Sequence, residues 1–215
     1  MREKIGSVFS VFADNPPVAG CTVSKEIHVN PPVICYSLAE NTDISAEMYP
    51  YRKFIIMCGG TARIYSPDKT AAVTAGSGII TPTDIPVGVK TETGAVYTEI
   101  LLRSDSIMNK TVKIGDPFKL SSLIPYAKGK IVNMDITHND KMKFALMAFD
   151  AGTGLSEHSA PGEALIFALD GEGIIGYEGK EHKIKKGENF CFAKGGKHYV
   201  KAETKFKMAL LLTLE

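Results

Sequence analysis

The chain has 215 residues, with 25 Lys and Arg against 24 Asp and Glu and a formal charge of +1. So even a balance creates no field to gather nucleic acid or an anionic membrane surface, and the length suits one large core or two small ones. Cys21, Cys35, Cys58 and Cys191 show neither CxxC spacing nor paired clustering, and they read as reduced, buried thiols of a cytosolic protein.

The N-terminal stretch MREKIGSVFSVFADNPPVAG has basic residues but only a short, interrupted apolar run before Asp14, and no apolar run elsewhere is long enough to span a bilayer. The expectation is a soluble, cytoplasmic protein without a membrane partner. Along the chain the main signal is a repeat. One offset superposes Pro50 on Pro161, Ile55 on Ile166, Gly60 on Gly171, Ile64 on Ile175, Lys69 on Lys180, Gly76 on Gly187, Val89 on Val200 and Lys90 on Lys201. Upstream, an offset two residues shorter pairs Phe9 with Phe118, Pro16 with Pro125, Gly20 with Gly129, Val23 with Val132 and Ile27 with Ile136. Each copy is then about 100 residues, the size of a domain rather than of a solenoid repeat. Residues 104–115 form the joint, which divides the chain into domains 1–107 and 108–215.

Within each copy, short apolar or alternating runs are separated by turn residues, as in LIFALDGEGIIGYEGKEHKIKKGENFCFAKGG. That is the rhythm of antiparallel β-structure, and no segment of this part sustains a helical period. Glu178-Gly179 supplies a hairpin turn, which pairs 174–177 with 182–185. The predicted class is all-β, two barrels related by internal duplication.

In the second copy Gly171, Gly187, Gly195, His158 and His198 keep the spacing of two signature strands, and on these residues the C-terminal copy resembles the cupin superfamily. The resemblance implies two tandem cupin barrels, each a double-stranded β-helix or jelly roll: a bicupin. Three positions of the first motif fall on His158, Ala160 and Ala164, so one of the usual three ligand types remains there. In the second motif the glycines and His198 are kept, while Ala193 and Ala202 replace the usual Pro and Asn. In the N-terminal copy Glu47, Tyr49 and Lys53 occupy the first-motif positions and Val87 the place of His198. The resemblance implies that this copy cannot build the family's metal site and packs as a structural half.

If His158 points into the barrel, strict alternation sends Ser156 and Ala160 the same way, with Ala164, Ile166 and Ala168 lining the same interior. A small, apolar cavity with two polar features suits a compact organic ligand. His158 and His198 are therefore the candidate catalytic residues, as general acid and base, and the candidate ligands of a divalent zinc, iron, nickel or manganese ion. A catalytic metal takes three or more protein ligands. Glu163, next to the motif position, is the candidate third, and Cys191 lies on the motif-two strand. Glu47 and Lys53 are expected to form either a buried pair in the N-terminal cavity or an exposed pair at its mouth. His28, His138 and His182 are assigned structural or surface places, His182 facing solvent.

Three functions stay open: a small-molecule enzyme of unassigned reaction, a non-catalytic ligand-binding or sensor protein, and a metal-free acid/base enzyme of the sugar isomerase or epimerase kind. No phosphate-binding loop or nucleic-acid motif is visible, so no nucleotide cofactor is expected. The expected state is a monomer or homodimer.

Overall fold

The computed structural model describes residues 4–29 and 31–214. Its strands, in chain order, are β1 (Val8–Phe9), β2 (Thr22–Val29), β3 (Pro32–Leu38), β4 (Asp43–Glu47), β5 (Arg52–Ser66), β6 (Lys69–Thr74), β7 (Ser77–Ile80), β8 (Val87–Lys90) and β9 (Ala95–Leu102). There follow β10 (Ile107–Met108), β11 (Phe118–Lys119), β12 (Ile131–His138), β13 (Met142–Phe149), β14 (Thr153–Ser159) and β15 (Ala164–Tyr177). The last are β16 (Lys180–Lys185), β17 (Asn189–Phe192), β18 (Lys197–Ala202) and β19 (Phe206–Thr213). A short 3-10 turn, Leu120–Ser122, interrupts the β-structure, and no helix among the described residues is long and apolar enough to cross a membrane.

The strands form two units. One holds Val11–Ser106 and Lys110–Lys119; the other holds Ile107–Asn109, Leu120–Glu215 and the described part of Met1–Ser10. In the N-terminal barrel the large sheet runs β11-β7-β5-β9-β3-β2, and β4, β8, β5 and β6 make the facing wall. In the C-terminal barrel the order is β1-β17-β15-β19-β13-β12-β10, with β14, β18, β15 and β16 opposite. The 107/108 division is crossed at the edges: β1 pairs with β17, and β11 pairs with β7. Each added strand satisfies backbone groups that an open sheet edge would leave free to recruit another chain. Phe9 and Phe118, equivalent by sequence, sit in these two edge strands.

β5 and β15 each serve both walls of their barrel, and a glycine makes the bend possible. Gly60 has φ +73° and Gly171 φ +66°, a left-handed conformation that disfavours side chains. A Cβ on Gly60 would stand 2.2 Å from the Gly94 carbonyl oxygen, and one on Gly171 1.9 Å from that of Lys205. The pairing with the neighbouring strand slips at the same place in both, between Met57 and Gly59 and between Ala168 and Asp170. These bulges curl the sheet.

Leu38, Ile55, Met57, Ile79, Val89 and Tyr97 form much of the N-terminal core; Phe149, Ile166, Phe190, Phe192, Phe206 and Met208 form much of the other. The Glu178-Gly179 turn is present, both residues at positive φ, but the register differs from the expected one: 174–177 pair with 180–183 and not with 182–185, because a two-residue turn sets Tyr177 directly opposite Lys180. The thiols are less uniform than expected. All four are free, but Cys21 is exposed and Cys58 half-buried.

Candidate functional site

His158 on β14 and His198 on β18 are direct cross-strand partners, with ring centroids 4.3 Å apart. A bulge brings this about. Leu155 pairs with Val200 and His158 with His198, so three steps on β14 match two on β18. Leu155 packs against the core, and the extra residue turns His158 to the same inward side. Strict alternation therefore fails here, and Ser156 is exposed instead of lining the cavity. Ala164, Ile166 and Ala168 do join the core, as expected.

Each ring is held by its own strand. His158 Nδ1 lies 2.8 Å from the Ser156 carbonyl oxygen and His198 Nδ1 2.9 Å from that of Gly196. A carbonyl only accepts, so both Nδ1 atoms carry the hydrogen, and a neutral ring then keeps its lone pair on Nε2. His198 is 6% exposed and stacks on Phe192 at 4.1 Å, whereas His158 is open to solvent. Burial holds the His198 pKa below the usual imidazole value; the Gly196 carbonyl opposes that shift and His158 adds to it. The pair is thus a buried imidazole, biased by its surroundings toward the neutral form, beside a solvent-exposed one.

Phe192 continues into Phe190 at 5.2 Å, and Phe190 into His182 at 5.1 Å. His182 is therefore half-buried against an aromatic ring and does not face solvent as expected, because it lies opposite the core residue Ile175. Tyr177 packs on both phenylalanines and accepts the Ala193 N–H at 3.4 Å. His28 is buried with Nδ1 3.0 Å from the Pro31 carbonyl oxygen, and His138 is half-buried at the end of β12.

The structure does not bring Glu163 to the histidines. Its backbone carbonyl accepts from the Thr213 N–H and hydroxyl. It adjoins Ala164, whose side chain faces the interior, so Glu163 falls on the other strand face, where Leu165 pairs with Cys191. Its carboxylate adds to the burial that pushes the Cys191 thiol up to about 12. Among the described residues no three of His, Cys, Asp and Glu gather as a metal-holding group. Two imidazole nitrogens fall short of the three protein donors of a catalytic centre, so the donor set does not fit a resident catalytic metal.

The N-terminal barrel repeats the bulge at the matching place, Ile44 opposite Val89 and Glu47 opposite Val87, but carries different chemistry. Lys53 Nζ lies 3.1 Å from Glu99 Oε2 and 4.1 Å from the centre of the Tyr49 ring. The buried partner of Lys53 is thus Glu99, and Glu47 instead accepts the Tyr49 hydroxyl at the exposed rim. Burial raises the Glu99 pKa, with Lys53 opposing it, and the bond to Glu47 raises that of Tyr49. These groups edge a shallow pocket open to solvent, whose enclosed volume is only about 20 Å³, room for about one water. Tyr97, fully buried two residues before Glu99, stacks on Tyr36 at 5.1 Å, and its hydroxyl has no hydrogen-bond partner among the described residues. Glu99 escaped motif reasoning, although it is the lone charge in the apolar strand AVYTEILL, a position that calls for a partner.

A family model described as the cupin domain matches residues 145–214. Among curated proteins none matches significantly. Among solved structures, a cupin 2 conserved barrel domain protein from Leptotrichia buccalis superposes with a TM-score of 0.86 at 24% identity, covering 97% of each chain. Salicylate 1,2-dioxygenase from Pseudaminobacter salicylatoxidans gives 0.66 at 12% identity, over 90% of this chain and 76% of that one. A variant of Bacillus subtilis oxalate decarboxylase gives 0.57 at 13%, over 97% and 77%. The shared property is the fold: an all-β chain of two cupin barrels in tandem.

Proposed function

We propose that this chain is a small-molecule-binding bicupin whose C-terminal barrel holds a compact organic ligand against His158 and His198. The observation that carries this reading is the orientation of the two rings. With both Nδ1–H groups given to backbone carbonyls, two Nε2 lone pairs on adjacent strands remain to accept a hydroxyl, an acidic N–H or an acidic C–H from one ligand. Leu155, Leu210 and Leu212 pack partly buried around the same core, giving a ligand body an apolar surface. The names of two fold neighbours, a salicylate dioxygenase and an oxalate decarboxylase, support a small organic acid or phenol as the kind of molecule such a barrel takes.

The chemistry assigned to the pair is proton exchange. His198, kept neutral by burial, takes the proton from the ligand, and exposed His158 exchanges it with solvent, a division of labour suited to general acid and base catalysis near neutral pH. The test is long-range nitrogen–proton NMR of the histidine rings during titration with a panel of small phenols and carboxylic acids. Expected are Nδ1–H tautomers for both rings in the free protein and, with at least one compound, saturable shifts of both Nε2 signals. Compounds should lose at least about tenfold in affinity when His158→Gln and His198→Gln are combined, the factor expected when two ordinary hydrogen bonds of about 1 kcal/mol are weakened together. If no compound moves either ring, or binding survives the double substitution, the reading is wrong.

A further inference from the structure

The pocket of the N-terminal barrel has its own chemistry, and the other barrel provides the control for it. Ile55 pairs with Glu99 and Lys53 with Leu101; in the second copy Ile166 pairs with Leu210 and Ala164 with Leu212. Lys53 and Glu99 therefore stand where the same scaffold packs Ala164 and Leu210. The fold does not need charges there, and withdrawing an ion pair from water is unfavourable unless its geometry offsets the loss. Yet Lys53 and Glu99 side chains are only 16% and 5% exposed, and both line the pocket with Glu47, Tyr49, Tyr51 and Thr81.

The existing contacts restrict what can bind. A ligand anion would need Lys53, which Glu99 already holds, and would meet two carboxylates against one ammonium. A ligand cation would need the Tyr49 ring face, which the Lys53 ammonium already covers. A neutral molecule escapes both conflicts. Hydroxyl groups donate to the carboxylates while accepting from the ammonium, whose three N–H donors are not exhausted by Glu99. The Thr81 oxygen accepts the Lys53 backbone N–H, which leaves its own hydrogen to donate. Tyr51 offers aromatic carbon to the C–H face of a ring, beside Pro82, Ile85 and Val87.

We propose that the mouth of the N-terminal barrel is a second binding site, for a neutral polyhydroxylated ring such as a cyclic polyol or monosaccharide, whose hydroxyls reach Glu47, Lys53 and Glu99 and whose C–H face lies on Tyr51. This site is independent of His158 and His198.

The full chain is titrated calorimetrically with myo-inositol, D-glucose and D-xylose, and with the charged counterparts D-glucuronate and D-glucosamine. At least one neutral compound should bind more tightly than either charged one. The Lys53→Ala, Glu99→Leu double variant carries the residues the other barrel uses at these positions, so it keeps the fold, which melting and circular dichroism check. Its affinity for the bound compound should fall at least about tenfold, while His158→Gln with His198→Gln should leave it within about twofold. Absence of binding by all three neutral compounds, tighter binding of a charged one, or binding kept by the Lys53, Glu99 variant and lost in the histidine variant would each overturn the proposal.

Discussion

The two barrels share a bent long strand, a glycine at the bend and a bulge at the same step of the cavity wall, yet fill equivalent positions with opposite chemistry. Tyr36, Lys53, Tyr97 and Glu99 face the interior of one; Met147, Ala164, Met208 and Leu210 take those places in the other. The histidine pair of the second barrel corresponds to Glu47 and Val87 of the first. Backbone geometry has thus been kept while side-chain chemistry diverged, so each barrel tells which residues of its twin the scaffold does not require.

The largest effect should come from breaking the ionic half of that contrast. Lys53→Met leaves Glu99 buried without its cation, a change that costs about 3 kcal/mol or more in denaturant unfolding. Lys53→Ala with Glu99→Leu, which copies the apolar barrel, should match the parent or exceed it by about 1 kcal/mol or more. The deficit of Lys53→Met should also depend on pH. The folded Glu99 pKa is already raised by burial, and losing Lys53 raises it further. The protonated folded state then binds more protons than the unfolded chain, so the associated stability is full below the unfolded carboxyl value near ~4.3 and is lost as pH rises through the folded one. The deficit should therefore be largest at neutral pH and shrink on acidification. A Lys53→Met protein as stable as the parent would mean that Glu99 reaches water and that the interiors are less different than described.

A smaller pair of effects sharpens the shared half. Gly60→Ala and Gly171→Ala each force a Cβ against a backbone carbonyl at positive φ, which costs about 2 to 3 kcal/mol. Gly187→Ala, with nothing near its Cβ, should cost about 1 kcal/mol, from conformation alone. Melting of the three variants decides the matter: losses at Gly60 and Gly171 that differ by more than about 1 kcal/mol would show that the bends are not equivalent.

The sequence makes these shared features legible because glycine register reports backbone conformation, which duplication preserves. It also makes legible the meeting of His158 and His198, since their spacing encodes a cross-strand position. The partner of Lys53 is not legible. Motif spacing sets Lys53 beside Glu47, at the end of the preceding strand, whereas the true partner arrives from β9 through a pairing that no local pattern specifies. Ser156 fails for a related reason: a one-residue bulge shifts the phase of alternation, and nothing in TGLSEHS announces it. The exchanged edge strands β1 and β11 are only two residues each, too short to carry a periodic signal, although the Phe9 and Phe118 equivalence already links them.

The smallest expected effect concerns His198, whose counterpart Val87 cannot titrate. Desolvation places its folded pKa below the unfolded value, near ~6.5 for a free imidazole. Between those two values the unfolded chain binds more protons than the folded one, so stability rises with pH; it is complete above about pH 6.5 and falls as the solution is acidified through that window. The slope from one such group cannot exceed about 1.4 kcal/mol per pH unit. His198→Val, which installs the residue of the other barrel, should remove that slope without disturbing the β14–β18 pairing. Unfolding measured from pH 5 to 7.5 should then show the parent losing stability faster than the variant on the acid side. Parallel curves would mean that His198 is as well hydrated when charged as in the unfolded chain, and the buried neutral base on which the C-terminal chemistry depends would not exist.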